Sequence, residues 1–353
     1  MDKLKAAVVG ATGIAGQQFV AALAGHPWFE VAALAGSERS AGKKYVDALS
    51  KGSSLQWFAD GPVPQQARSM VVADSSQLDA SRFDVIFTAV EAEVARKIEP
   101  LYARTTPVFS TASAFRYEPD VPLMISGVNL DHAALIEAQR KNRGWEGFVA
   151  PIPNCTTTGM AVSLAPLARF GIESAVLVSM QAVSGAGRSP GVLALDITDN
   201  VIPFIDGEED KVIAETRKIL GSVDVASGTI TDAKIDVSAS CNRVAVREGH
   251  TESVFAVLRD EPALDEVADA WESFDPALGV PSEPRPFITY HRDPYRPQPR
   301  LDRDNCSGLS TSVGRLRKPG RFYQWTVVSH NTKMGAAKGA VLLAECLKRK
   351  GYI

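Results

Sequence analysis

Three glycines, Gly10, Gly13 and Gly16, stand between an apolar run and a helical one in the sequence GATGIAG, and no other feature restricts the fold so tightly. The run Leu4–Val9 reads as a buried strand, and residues 17–23 have the apolar spacing of a helix. A strand that turns on glycines into a helix brings backbone N–H groups and the positive end of the helix dipole to one point. Such a point suits a pyrophosphate. The GxxGxxG turn, from Gly10 through Thr12, Gly13 and Ile14 to Gly16, is therefore the candidate site for a dinucleotide, with a plain structural turn as the competing reading.

The same alternation continues downstream. Residues 29–35 read as a second apolar strand, residues 83–89 as a third followed by a helix-like run over 91–101, and residues 107–109 as a further short strand. Strand, helix, strand in repetition requires right-handed crossovers and hence a parallel sheet, an α/β domain of the Rossmann, doubly wound type. Beyond about residue 150 the strand-like runs lengthen, over 174–182, 234–246 and 253–258, which suits a mixed or antiparallel sheet in a second, α+β domain. At 353 residues the chain is longer than one modest domain needs. We expect a dinucleotide domain over residues 1–153, completed by a C-terminal helical segment within 333–353, and a catalytic and dimerisation domain over 154–332. Between residues 281 and 303, six prolines and several charges point to a long surface loop at a subunit contact.

A formal net charge of -3, with 38 basic and 41 acidic residues spread along the chain, leaves no basic stripe for nucleic acid or an anionic membrane. A small-molecule substrate is the expectation. The amino-terminal apolar run is too short for a signal-peptide core, and nothing later approaches a membrane span. The four cysteines, Cys155, Cys241, Cys306 and Cys346, form no CxxC pair, which argues against a zinc site or disulfide scaffold and for a reducing cytoplasm. Where the second strand ends, no acidic residue is placed for a ribose 2′-hydroxyl. Ser37, Arg39, Ser40 and Lys43 offer hydroxyls and cations instead, which suit the 2′-phosphate of NADP. Glu38 stands against that preference, and a solvated polar loop is the plain alternative.

Cys155 follows two prolines and precedes three threonines and a glycine, ahead of a helical pattern over residues 160–169. A thiol at a helix start is expected to have a lowered pKa, with free N–H groups beside it for an oxyanion. That setting marks Cys155 as a nucleophile, whereas Cys346 lies in the C-terminal helical run and reads as core. A nucleophile needs a proton-transfer partner, and the chain offers His26, His132, His250, His291 and His330. His250 ends a strand-like run and follows Gly249, which would free the backbone to turn the ring into a cleft. His330, beside Asn331, is its rival.

Seven segments now stand in order along the chain: GATGIAG, SERSAGK, PNCTT, QAVSGAG, NVIPFI with EEDK, RVAVREGHTE and SHNTKMGAA. Together they resemble the aspartate-semialdehyde dehydrogenase family nearly end to end, in its archaeal and fungal branch more than the common bacterial one. The resemblance implies reversible, NADPH-dependent reduction of aspartyl 4-phosphate to aspartate 4-semialdehyde with release of phosphate, on the route to lysine, threonine and methionine. It implies Cys155 as nucleophile, His250 as general acid/base and Gln181 as the residue that orients the acyl intermediate. Arg243, seven residues before the histidine, is implied to grip the substrate α-carboxylate through a bidentate fork. Glu208 and Lys211 match the family's substrate amine and phosphate contacts, and Arg116 its phosphate-gripping arginine. Ser184, Gly185, Gly187 and Asn331 would line the nicotinamide; the chemistry needs no metal, and the assembly would be a homodimer or homotetramer.

The chain departs from the family pattern at Thr111, where asparagine is more usual, at Gly127, where many archaeal members have glutamate, at Ala245, where proline is usual, and at Arg188, where a shorter linker is common. Malonyl-CoA reductase and N-acetylglutamyl-phosphate reductase, enzymes of the same scaffold, are the rival readings. The EEDK and RVAV segments favour the aspartyl substrate, whose α-amino and α-carboxylate groups need an anionic and a cationic partner. A non-catalytic, dinucleotide-binding redox sensor is the rival of another class. The presence together of Cys155, His250, Gln181 and Arg243 argues against it.

Overall fold

The computed structural model describes residues 2–187 and 191–353, so the departure at Arg188 lies outside the described residues. Six strands pair in parallel: β1 (Leu4–Val9), β2 (Phe29–Gly36), β3 (Val72–Asp74), β4 (Val85–Thr88), β5 (Val108–Ser110) and β6 (Val149–Pro151). Their order is β3-β2-β1-β4-β5-β6. This is the doubly wound order, in which the winding reverses between β1 and β4 and leaves a crevice at the carboxyl ends of those two strands. Ala6 to Val9 and Val85 to Phe87 are fully buried because apolar layers cover both faces of the sheet.

The glycine turn sits at that crevice, and two of its glycines are required by backbone proximity. Gly10 has φ +78°, and a Cβ there would lie 2.2 Å from the Ala89 carbonyl oxygen. A Cβ on Gly16 would lie 2.0 Å from the Gly10 carbonyl oxygen, so only glycine lets helix α1 (Ile14–Ala22) start this close to β1.

A second sheet holds β7 (Ile172–Gln181), β8 (Asp236–Arg243), β9 (His250–Leu258), β10 (Ile288–His291), β11 (Thr311–Arg317) and β12 (Tyr323–Ser329), in the order β8-β7-β9-β12-β11-β10. It is mixed: β8 runs parallel to β7 and β10 to β11, while β9 is antiparallel to both its neighbours. Helix α2 (Cys155–Leu164) packs on this sheet, and Thr156 to Leu164 are buried without a break. Helix α3 (Glu208–Ile219) packs against α2 and β8. The terminal helix α4 (Ala337–Arg349) returns to α1, and its Ala340, Leu343 and Leu347 join the core of the first sheet. Leu342 and Cys346, on another side of the same helix, join the core of the second.

Two expectations are corrected. Residues 281–303 do not form one long loop, because Ile288–His291 pairs as an edge strand with β11 and Pro299–Asp302 forms a helical turn. The prolines flank the strand, where no ladder donor is lost. The helix expected over 160–169 begins at Cys155, capped by Asn154, and tightens to a 3-10 turn over Ala165–Phe170 where Pro166 enters.

Candidate active site

Asn154 fixes the start of α2. Its side-chain oxygen accepts from the N–H groups of Thr156 at 2.8 Å and Thr157 at 3.2 Å, leaving Cys155 as the first helical residue. Cys155 is half-buried. Its Sγ lies 3.2 Å from Nε2 of His250, which enters from the first position of β9. His330 faces Glu248 instead, at 3.1 Å, so of the two candidate histidines it is His250 that meets the thiol.

The tautomer of His250 follows from its other nitrogen. The Ala182 N–H donates to Nδ1 at 3.1 Å, so Nδ1 carries a lone pair and the neutral ring holds its proton on Nε2, facing sulfur. Burial pushes His250 down to about 3, with Arg243 and His330 adding to the effect. Burial also pushes the Cys155 thiol up to about 12, with Glu208 adding to it, while Arg243, Arg116 and the Thr156 N–H pull the other way. The expected depression by the helix start is thus corrected: desolvation outweighs it, and the resting pair is neutral thiol and neutral imidazole. In this geometry His250 serves as a hydrogen-bond donor toward sulfur or an adjacent oxygen.

Arg116, Cys155, Ser184, Gly185, Gly187 and Asn331 line one cleft of about 250 Å³ together with Gly13 and Ile14, so the glycine turn and the nucleophile share a wall. A groove of about 560 Å³ continues from it past Ile14, Ser184 and Gly187 to Trp57, Phe58 and Arg247. Asn331 ties the far wall together, donating to Ser184 Oγ at 2.8 Å and accepting from the Gly249 N–H at 2.9 Å. Gly185 packs close against both groups: a Cβ there would meet Arg243 Nη1 at 3.0 Å and the His250 ring at 3.3 Å.

The other expected residues divide. Arg243 ends β8, is 6% exposed, and donates through Nη1 to the Ala182 carbonyl at 2.8 Å. Arg116 is equally buried and gives Nη1 to Glu215 and Nη2 to the Thr111 carbonyl, each at 2.9 Å. Thr111, one of the departures, thus contributes its carbonyl to the arginine. Glu208 accepts from Asn154 Nδ2 at 2.8 Å and lies 3.6 Å from Lys211, so both sit behind the cysteine turn. Gln181 is not brought to the cleft wall: it is buried, and its amide donates to Ser179 Oγ at 3.2 Å within the sheet.

Ser37 and Arg39 are exposed at the end of β2, beside the glycine turn that hangs from the Ala35 carbonyl. Ser40, expected with them, is buried, and its hydroxyl closes the turn onto the Ser37 carbonyl at 3.0 Å. The α1 start has no side-chain cap, and a Cβ on Gly13 would meet only the Gly10 oxygen, at 3.5 Å. Open, uncapped N–H groups beside a glycine fit a dinucleotide pyrophosphate. Gly127 lies away from this cleft, where any side chain would strike Phe287 at 2.9 Å.

Sequence reasoning missed Glu215, Asn154 as a cap, and two fasteners of the groove wall. Gln17 bonds the Phe58 N–H at 2.6 Å and the Gln56 carbonyl at 2.9 Å, and Lys333 Nζ reaches Asp60 and Asp304, each at 2.6 Å. Glu215 stands seven residues after Glu208, two helical turns on the same face, and that spacing was a usable signal.

Known proteins agree with this geometry. The family model described as semialdehyde dehydrogenase, NAD binding domain, matches residues 5–136, and the semialdehyde dehydrogenase dimerisation domain matches residues 164–334. An aspartate-semialdehyde dehydrogenase of Archaeoglobus fulgidus is 47% identical, covering 98% of each chain. The crystal structure of the Candida albicans aspartate-semialdehyde dehydrogenase with NADP superposes with a TM-score of 0.89 at 38% identity, covering 100% of both chains. Aspartate semialdehyde dehydrogenase II of Vibrio cholerae, complexed with ASA, superposes at 0.78 with 27% identity and 99% coverage of both. Similarity of this extent, archaeal in sequence and fungal in structure, means that the chain belongs to the aspartate-semialdehyde dehydrogenase family.

Proposed function

We propose that the chain catalyses the reversible reduction of aspartyl 4-phosphate to aspartate 4-semialdehyde and phosphate with NADPH, in the biosynthesis of lysine, threonine and methionine. The observation that carries this reading is the Cys155–His250 contact of 3.2 Å, at a helix start, in a cleft shared with the glycine turn. Gly10, Thr12, Gly13, Ile14 and Gly16 would hold the NADP pyrophosphate, Ser37 and Arg39 its 2′-phosphate, and Ser184, Gly185, Gly187 and Asn331 the nicotinamide. When bound, NADPH supplies the hydride that takes a thioester to the aldehyde level.

The chain's own groups do the rest. The Cys155 sulfur attacks the acyl carbon as its proton passes to a phosphate oxygen of the substrate, the carbon–oxygen bond to phosphate breaks, and hydrogen phosphate leaves with the bonding pair, giving a thioester. Arg116 meets the phosphate and Arg243 the α-carboxylate, while Glu208 and Lys211 support the amine and phosphate ends from behind the cysteine turn. His250 donates its Nε2 hydrogen bond to the oxygen formed at the acyl carbon and then to the departing sulfur, and a proton from solvent restores the thiol. Gln181 reaches the acyl group only after its amide leaves Ser179.

Residues 1–153 with 333–353 form the cofactor domain, and residues 154–332 the catalytic and dimerisation domain; the division into two sheets supports this. The match to a dimerisation domain supports a homodimer or homotetramer. Four unpaired cysteines, one of them nucleophilic, favour the cytoplasm. Among the described residues no helix is long and apolar enough to cross a membrane. The test is phosphate-dependent reduction of NADP by purified protein given aspartate semialdehyde. NAD, malonate semialdehyde with coenzyme A, and N-acetylglutamate semialdehyde are the parallel arms. Turnover with a rival substrate and none with aspartate semialdehyde would overturn the substrate; silence with all would favour the redox sensor.

A further inference from the structure

The guanidinium at the cleft wall is not free. Arg116 gives Nη1 to Glu215 Oε1 and Nη2 to the Thr111 carbonyl, while its buried Nε has no partner. Glu215 is fully buried and collects donors from two separate segments: Arg116 at 2.9 Å and the Tyr117 hydroxyl at 3.1 Å on one oxygen, and the Asn154 N–H at 2.6 Å on the other. Asn154 caps the helix that Cys155 begins. One carboxylate therefore joins the arginine loop to the cysteine turn, across 99 residues on one side and 61 on the other.

Arg116 and Arg243 both act on the Cys155 sulfur, so both charges lie near the reacting atom, but their surroundings differ. Arg243 donates to a carbonyl, whereas Arg116 is paired with a carboxylate. An arginine with a fixed anion on one edge and an unpartnered N–H on another is held in one orientation. Its charge is also tempered, which suits an anion that must leave in every turnover.

We propose that Glu215 is the positioning residue for the phosphate-transfer half of the reaction. It holds Arg116 in the cleft wall so that the guanidinium faces a phosphate oxygen next to the acyl carbon on Cys155, and its second oxygen keeps the cysteine turn in register with that guanidinium. This rests on the phosphorylating activity proposed above. Glutamine has a single acceptor oxygen, so Glu215→Gln must set an amide N–H against either Asn154 or Arg116. Glu215→Asp keeps the charge but falls one methylene short of bridging both.

The experiment separates two half-reactions. With aspartate semialdehyde and NADP but no phosphate, the NADPH burst reports Cys155 and the cofactor site. With inorganic phosphate added, steady-state turnover reports the KM for phosphate. We expect both variants to keep the burst and to raise the phosphate KM at least tenfold, with the KM for aspartate semialdehyde unchanged. In a background already carrying Arg116→Gln, Glu215→Gln should add no further rise. A phosphate KM within twofold of wild type overturns the inference, whether the burst survives or is lost, because Glu215 would then serve the fold of the turn alone. A wild-type protein with neither burst nor phosphate-dependent turnover overturns the functional reading, and this inference with it.

Discussion

Glu252 offers a test of how the nucleophile's helix is seated. It lies in the middle of β9, fully buried, opposite Ser179 on one neighbouring strand and Val327 on the other. Neither carboxyl oxygen has a hydrogen-bond partner, and a Cβ on Gly159 of α2 would come within 2.6 Å of Oε1. Burial holds the carboxyl well above its ordinary value of 4.5, so it stays protonated in the folded chain where the unfolded chain would release the proton. Between those two values the folded state binds one proton more. The stabilisation linked to that proton is therefore full below pH 4.5 and is lost as pH rises toward the folded value, by up to about 1.4 kcal/mol per pH unit. Glu252→Gln keeps shape and polarity but cannot ionise. Relative to wild type the variant should gain stability as pH rises from 5 to 8, at no more than about 1.4 kcal/mol per pH unit. Guanidinium unfolding at pH 5, 6, 7 and 8, followed by the fluorescence of buried Trp271 and Trp325, gives the two profiles. His250 and the other titrating groups are common to both proteins and cancel in the difference. Parallel profiles would refute the reasoning, because Glu252 would then be ionised in the folded state.

Two further outcomes follow from contacts already described. Gly16→Ala places a methyl 2.0 Å from the Gly10 carbonyl oxygen, so α1 must move off β1; we expect about 1–3 kcal/mol lost in unfolding free energy and a weaker Kd for NADPH by fluorescence titration, and an unchanged Kd would separate this glycine from the cofactor site. Arg243→Leu should raise the KM for aspartate semialdehyde by about tenfold to a hundredfold, the worth of a charge-assisted hydrogen bond, while the KM for phosphate holds; equal rises in both would remove Arg243 from the carboxylate site.

The first strand and the glycine turn were legible in the sequence because a fully apolar run and a fixed glycine spacing each have one structural meaning. Strand β3 has only three residues, too few for any period to show, and β10 is hidden among prolines that flank it without breaking it. Cys155 at a helix start could be read from the prolines before it and the threonines and glycine after it, but its pKa could not, since burial is set by chain segments far away. The choice between His250 and His330 needed the register of β9 against β12, which a single chain does not spell out. Arg116 and Glu208 were readable as charges, whereas the pairing of Arg116 with Glu215 joins segments 99 residues apart. Gly127, a departure from the family pattern, is a packing requirement beside Phe287, which single-chain reading could not show.

The acyl intermediate itself can be caught by mixing the protein with NADP and aspartate semialdehyde in the absence of phosphate, quenching, and locating any acyl adduct by peptide mass spectrometry. We expect an aspartyl thioester on Cys155, formed in step with about one NADPH per active site, discharged on adding phosphate, and absent from Cys155→Ala, which should still bind NADPH. NADPH formation with no adduct at Cys155, or an adduct on another residue, would contradict Cys155 as the nucleophile.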